Sequence, residues 1–478
     1  MLKERIRQLE RLIFGARRER FVLPTSERQG SLFDLCATET AAVVEPPEVV
    51  VKNRKPKKPT AVKRGSFPAR LRREIERIEP RLEQPEQWVE IGQDVTEVLA
   101  YVPADFYVKQ TVRPRYAHQS EAERGIQQAT IPPRLIPKGM LDTSVVSEVI
   151  IEKLQFHTPI HRFVRKLKLA GIDFIKQNTL HNALHRAAET LLPLYHLLQK
   201  EVLATAYVQA DETHIRVLAK NKVGAAHRGQ MWVYFAPTLR TTFFHYDPRR
   251  DEAAARTILD DYSGVLQCDG YGVYQKVGQS AAITLTHCWA HVRRKFFEAQ
   301  ASHPEVVPWL LEQIGRLYAL ERQARSEQLT CDGRQQLRQQ SALPILEKIK
   351  TQLVEHAADP TILPKSMLNK AVRYTLSLWS GLVTYAHDGR LEIDNNLVEN
   401  TIRPVALGRK NYLFAGSHAA AQNLAVLYSF IGSCEQNGIN TRQYLNWVLD
   451  KLVGEKVTER AVDWLPHRVD QECFAVKV

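Results

Sequence analysis

The chain has 478 residues, 44% hydrophobic and 25% charged, with a formal net charge of +13 and a pI near 9.4. That length supports about three domains with real cores, and the apolar content excludes a disordered chain. No run approaches about 18 apolar residues, so no helix is expected to span a membrane, and the excess positive charge points to a polyanionic partner.

The first segment, MLKERIRQLERLIFGARRER, is too charged for a secretory signal. Leu2, Ile6, Leu9 and Ile13 recur at 4-3-4 spacing, which predicts a helix or short coiled coil over 1–20. Residues 21–66 read as a basic flexible linker. From Lys52 to Arg73 there are ten Lys or Arg and no acid, and Pro56, Pro59 and Pro68 bar a regular helix. Lys52, Arg54, Lys55, Lys57 and Lys58 are therefore candidate phosphate-backbone contacts, with a solvated linker as the plain alternative. Residues 67–120 alternate β-branched and aromatic residues and predict a small β module. Between 121 and 204 the pattern is helical, in SVVSEVIIEKLQF, HRFVRKLKLAG and LHNALHRAAETLLPLYHLLQKEVLA, with Gly171 as a C-cap. These helices suit a DNA reader or a structural bundle equally.

The central segment changes period. Residues 206–218, 229–237 and 241–247 read as hairpin-linked strands, 251–262 as a helix, 264–274 as a strand running into a turn, and 281–300 as a strand followed by a helix. Three antiparallel strands, then two more reached through helices, predict a ribonuclease H-like mixed α/β sheet. Residues 300–378 read as a helical insertion, and 418–478 as a helical region broken at Asn437-Gly438.

Asp211 lies inside the first of these strands, where an ionised group is costly unless paired. Asp269 ends the fourth, and the predicted topology makes those strands neighbours. Two carboxylates at one sheet end call for a cation, and oxygen-only ligation selects magnesium or manganese over zinc. Glu399, in DNNLVENTIRPV, is the candidate third ligand. The plain reading of that segment is a helix with Asp394 as N-cap and an i,i+4 Glu399–Arg403 pair. The six cysteines are scattered, with neither disulfide-framework nor metal-like spacing, as expected in a reducing cytoplasm.

QADET (209–213), LQCDGYGVY (266–274), HCWAHVRRKFFEA (287–299), DGRLEIDNNLVENTIRPVALGRKNYLFAGS (388–417) and QNGINTRQYLNWVLDKL (436–452) together resemble the transposases of the insertion-sequence-66 family. The likeness is collinear from about residue 85 to the C-terminus. It implies a catalytic domain over 205–417 with an Asp211, Asp269, Glu399 triad holding two Mg2+ or Mn2+ ions. It also implies DNA as partner, both element ends and target, and an assembly of several protomers with accessory proteins of the same element, in a bacterial cytoplasm. His291, Arg293, Arg294, Arg403, Arg409 and Lys410 would then face phosphates. Trp289 would stack on a base or, the preferred reading, fill the core. A nuclease that does not join strands, or a DNA-binding derivative without catalysis, are the alternatives. The family's usual zinc-ribbon cysteine pairs are missing here, so the 67–120 module is expected to be metal-free and the chain to hold no stoichiometric zinc.

Overall fold

The computed structural model describes residues 106–107, 115–117, 126–128, 133–137, 139–218, 226–455 and 458–474. The expected N-terminal helix, the basic linker and nearly all of the 67–120 module lie outside these residues, as do Lys52, Arg54, Lys55, Lys57 and Lys58. Of the short strands there, β1 (Arg115–Ala117) pairs antiparallel with β2 (Ile126–Gln128).

The next three segments form helices: α1 (Thr143–Leu154), α2 (Ile160–Leu169) and α3 (Gln177–Leu203). Asp142 caps α1 by accepting from the Ser144 N–H. Gly171 follows α2 at φ 79, the left-handed position that glycine adopts without a Cβ penalty. Leu180, Ala183, Leu184, Ala187, Leu191, Leu194 and Leu198 form one buried stripe on α3. That stripe belongs to a bundle with the C-terminal helices α13 (His418–Gln436) and α14 (Thr441–Gly454), which are separated by Gly438 at φ 67.

One five-stranded sheet organises the rest, in the order β5-β4-β3-β6-β7. β3 (Tyr207–Leu218), β4 (Ala226–Ala236) and β5 (Thr241–Asp247) form an antiparallel meander. β6 (Gly264–Cys268) and β7 (Ile283–His287) then add parallel to β3. Helix α4 (Glu252–Leu259) precedes β6, and the short α5 (Gly272–Val277) follows it. This is the ribonuclease H-like arrangement expected from the element order. The strand read as running into a turn over 264–274 ends at Cys268. Asp269 breaks it, its carboxylate accepting from the Tyr271 N–H at 2.9 Å to form a turn. The open edge of β5 is closed by α13, whose Ser429 and Ser433 hydroxyls accept the Phe244 and Thr242 N–H groups at 2.8 and 3.0 Å.

After α6 (Trp289–Ala299) the chain leaves the sheet for the expected helical insertion. It comprises α7 (Val307–Ser326), α8 (Cys331–Leu337), a π turn (Arg338–Ala342), α9 (Leu343–Ala358) and α10 (Met367–Ser377). Helix α11 (Trp379–Val383) and a 3-10 turn (Thr384–His387) lead back against β7. The insertion is not a free lobe. Leu310, Ile314, Leu317, Leu346, Ile349, Leu368 and Val372 share one core with Trp289 and Phe296 of α6. Arg338 is fully buried, its guanidinium on both Glu321 oxygens and on the carbonyls of Tyr385, Asp388 and Leu391. Helix α12 (Asn396–Tyr412) follows and packs on β3, and α15 (Gln471–Phe474) is the last described helix. Among the described residues, no helix is long and apolar enough to cross a membrane.

Candidate active site

β3 and β6 are in register through Gln209 and Gln267; Asp211 stands two residues further along β3, and Asp269 one residue past the end of β6. Because side chains alternate across a strand, Gln209 shares a face with Asp211. The buried glutamines identify that face. The Gln209 amide nitrogen donates to the Gln267 side chain at 2.8 Å and to the Asp394 carbonyl at 3.1 Å. Its oxygen accepts the Val398 N–H at 3.1 Å. Gln267 donates to the Glu392 carbonyl at 2.8 Å, and the Tyr207 hydroxyl bonds to Gln267 and accepts the Glu392 N–H. The first turn of α12 is thereby held against β3 and β6. That turn carries Glu399.

α12 is fastened to β3 at two further points. Arg409 donates to the Thr213 hydroxyl at 2.6 Å and to the His214 carbonyl at 2.7 Å. Beyond the helix, the Ala415 N–H bonds to the Arg216 carbonyl and the Ala415 carbonyl accepts from Leu218. The helix start is one residue later than the sequence implied. Asn395 is the N-cap residue and makes no side-chain cap bond, while Asp394 accepts from the Asn396 N–H and side-chain amide.

Asp211, Asp269 and Glu399 are close enough to act on one another electrostatically. Burial pushes the Asp211 carboxyl well above the usual range, and Glu212, Glu399 and Asp269 push it further, against the Glu212 N–H it accepts. Burial likewise raises Glu399, with Asp394 and Asp269 in the same direction and the Arg294 guanidinium opposing. Among the described residues no Lys or Arg forms an ion pair with Asp211 or Asp269. Glu212, on the opposite face, is a contrast: Arg250 at 2.6 Å and the Tyr274 hydroxyl at 2.9 Å satisfy it. The trio is thus an underneutralised patch of hard oxygen donors, and the buried Glu399 Oε1 has no hydrogen-bond partner. Such a set fits a hard divalent cation. Gly270, beside Asp269, lies so close to the Tyr374 ring of α10 that a Cβ would approach it to 2.5 Å.

The remaining expected contacts separate in space. His291 belongs to the carboxylate patch, with Nδ1 3.7 Å from Glu399 Oε1. Burial holds its imidazole toward the neutral form, although Asp269 pulls the other way. Arg294 is exposed and acts on Glu399, whereas Arg293 faces Tyr318 of the insertion. Arg409 is engaged by β3, Arg403 is half-buried on the same helix and Lys410 is exposed. Trp289 is a core residue, fully buried with its indole N–H on the Leu382 carbonyl. Sequence reading missed the two glutamines. The available signal was a repeated Gln-Xaa-Asp, at 209–211 and 267–269, in two strands predicted to be neighbours.

A mixed five-stranded sheet with one aspartate inside its first strand, another just past its fourth, and a glutamate on a later helix beside them defines a ribonuclease H-like protein with a candidate metal centre. The chain belongs to the IS66 transposase family: the family model described as "Transposase IS66 family" matches residues 138–423, more than half of it. A second family model, described as "Transposase C of IS166 homeodomain", matches residues 1–75. Among relatives, the uncharacterized protein y4jD of Sinorhizobium fredii (strain NBRC 101917 / NGR234) is 30% identical over 97% of this chain and 93% of its own length. The uncharacterized protein y4hP of the same organism is 30% identical over 79% of this chain and 70% of its own. No solved structure matches the chain.

Proposed function

We propose that Asp211, Asp269 and Glu399 are the catalytic centre of a DNA transposase that cuts the ends of its insertion sequence and joins them to target DNA. The observation carrying this reading is that three half-buried carboxylates, Asp211 in β3, Asp269 just past β6 and Glu399 in the first turn of α12, act on one another electrostatically. When bound by the three, two Mg2+ or Mn2+ ions would activate the attacking oxygen and stabilise the leaving oxygen in an in-line displacement at phosphorus. The chain's own residues do the positioning. The Gln209–Gln267 pair fixes Glu399 over the aspartates, and a neutral His291 leaves the carboxylate charge available for cations. Arg294, on the exposed side of α6, is placed to meet a phosphate next to the scissile one. The basic segment from Lys52 to Lys58 supplies sequence-independent attraction for DNA, and Lys410, exposed on α12, adds a further cation. Several protomers and accessory proteins of the same element complete the assembly on DNA, in the bacterial cytoplasm.

The test uses labelled DNA carrying the element's ends, with magnesium, and scores cleavage and joining separately. Glu399→Gln, Asp211→Asn and Asp269→Asn each remove a charge at nearly constant size. Each should lower both steps by at least about a thousandfold, several kcal/mol of transition-state stabilisation. Affinity for end DNA should be kept, because it comes from Lys and Arg. Near-normal joining by Glu399→Gln would place the third ligand elsewhere, and cleavage without joining in the unaltered protein would make it a nuclease.

A further inference from the structure

We infer that Cys288, His291 and Glu399 form a second, softer metal site that takes zinc and shares Glu399 with the carboxylate trio. One donor atom from each of the three lies within 4.8 Å of the other two. A tetrahedral zinc with a sulfur at about 2.3 Å and nitrogen and oxygen at about 2.0–2.1 Å needs its donors roughly 3.3–3.6 Å apart. His291 Nδ1 and Glu399 Oε1, at 3.7 Å, nearly meet that already, and side-chain rotation brings in the sulfur.

Two further observations point to a missing ligand. His291 Nδ1 and Glu399 Oε1 are both buried and make no hydrogen bond, the pattern left when a shared partner is absent. Asn395 is fully buried at the same spot with neither amide atom partnered, and its backbone N–H donates to Cys288 Sγ at 3.4 Å. The His291 N–H also donates to that sulfur. Backbone N–H bonds to a cysteine sulfur are the outer-shell support that metal thiolates receive.

The local fold explains why the three meet. Cys288 is the N-cap residue of α6 and His291 lies three residues on, so both face one side of the helix start. The Gln209 clamp brings the first turn of α12, with Glu399, to that side. Glu399 therefore stands between two donor environments: oxygen from Asp211 and Asp269, nitrogen and sulfur from His291 and Cys288. Hard magnesium takes the first and borderline zinc the second. Three protein ligands leave a fourth position for water, and zinc there withdraws Glu399 from the carboxylate trio. Only this last consequence rests on the catalytic reading. The site stands without it.

The test needs neither DNA nor catalysis. The full chain, with Cys36, Cys331 and Cys473 replaced by serine, is stripped with chelator and titrated with Co2+ as a spectroscopic stand-in for zinc. One equivalent should produce thiolate-to-cobalt absorption in the near ultraviolet together with the intense visible bands of a tetrahedral ion. Cys288→Ser should abolish the charge-transfer band, and Asp211→Asn should keep it. His291→Gln, which leaves the buried thiol in place, should weaken cobalt binding by about 10- to 100-fold. No charge-transfer band, or unchanged affinity in His291→Gln, overturns the site. In a second arm, equimolar zinc should lower magnesium-dependent cleavage severalfold in the unaltered protein. The ratio of rates with and without zinc should move toward one in His291→Gln. Zinc binding without inhibition would keep the site and refute only the withdrawal of Glu399.

Discussion

Asp211, proposed above as a metal ligand, works against the stability of its own fold. Its carboxyl, like that of Glu399, titrates above its unfolded range because burial and neighbouring carboxylates disfavour the charge. A raised folded pKa contributes stability that is complete below the unfolded value of about 4, and that is lost as pH rises through the folded value. In chelator, Asp211→Asn should therefore melt higher than the unaltered chain at pH 8, by on the order of a few °C. The gap should shrink toward pH 4 and close when magnesium is added. Equal destabilisation of Asp211→Asn at both pH values would show that the carboxylate is structural. At this scale the acids were legible, because a charge inside an apolar strand or strand end is conspicuous. Gln209 and Gln267 were not: a glutamine reads as surface until the strands and α12 enclose it. Cys288 was hidden for another reason, since its metal-like neighbours are one residue three positions on and one in a distant helix.

Among the elements, α12 depends on side chains far from it in sequence. Gln209→Met keeps the volume but leaves the Val398 N–H and the Asp394 carbonyl buried without partners. At about 1–3 kcal/mol for each such group, the cost should be about 2–4 kcal/mol. Denaturant unfolding measures it, and cleavage should fall at least tenfold with DNA affinity intact, because Glu399 loses its seat. The insertion has a comparable fastening. Arg338→Met leaves Glu321 buried with only Arg334 beside it, and should cost about 3–5 kcal/mol. A cost below about 1 kcal/mol would mean that the insertion docks through its apolar core alone. Strands with clear alternation and helices with 3–4 spacing were readable in sequence. The end of β6 was readable too, because Asp269 and Gly270 carry turn chemistry. The shift of the α12 start to Asn396 was not, since Asp394 is an acceptable cap by type and only geometry moves it.

At the scale of the whole molecule, the net charge of +13 concentrates before residue 74, and from Lys52 to Arg73 ten cations stand without an acid. Deleting 52–64 removes seven of them, and the slope of log affinity against log salt should flatten by several units. Filter-binding or anisotropy titrations over a salt series read this directly, and an unchanged slope would make the segment a mere tether. The mixed sheet, the insertion and the helical C-terminus were all foreseeable from element order, because few topologies accommodate a meander followed by two crossovers. What α1 to α3 pack against was not foreseeable. Amphipathic helices carry the same stripe whether they face DNA or α13 and α14, and only the tertiary structure separates the two.

The glutamine clamp has a consequence in time. Val398 and Gln209 are 189 positions apart, against 58 between the two glutamines. The sheet can therefore close while the Glu-bearing helix is still unmade or undocked, and contacts of such long range form late. On a ribosome adding about 5–20 residues each second, roughly 6 to 26 seconds separate synthesis of the second aspartate from that of the glutamate. During that interval the growing chain already holds its basic N-terminal segment and both aspartates, yet lacks the glutamate proposed to complete the centre. If the proposed function holds, a prematurely terminated copy should bind the same DNA without cutting it, and a pulse-labelled translation series should show binding before cutting.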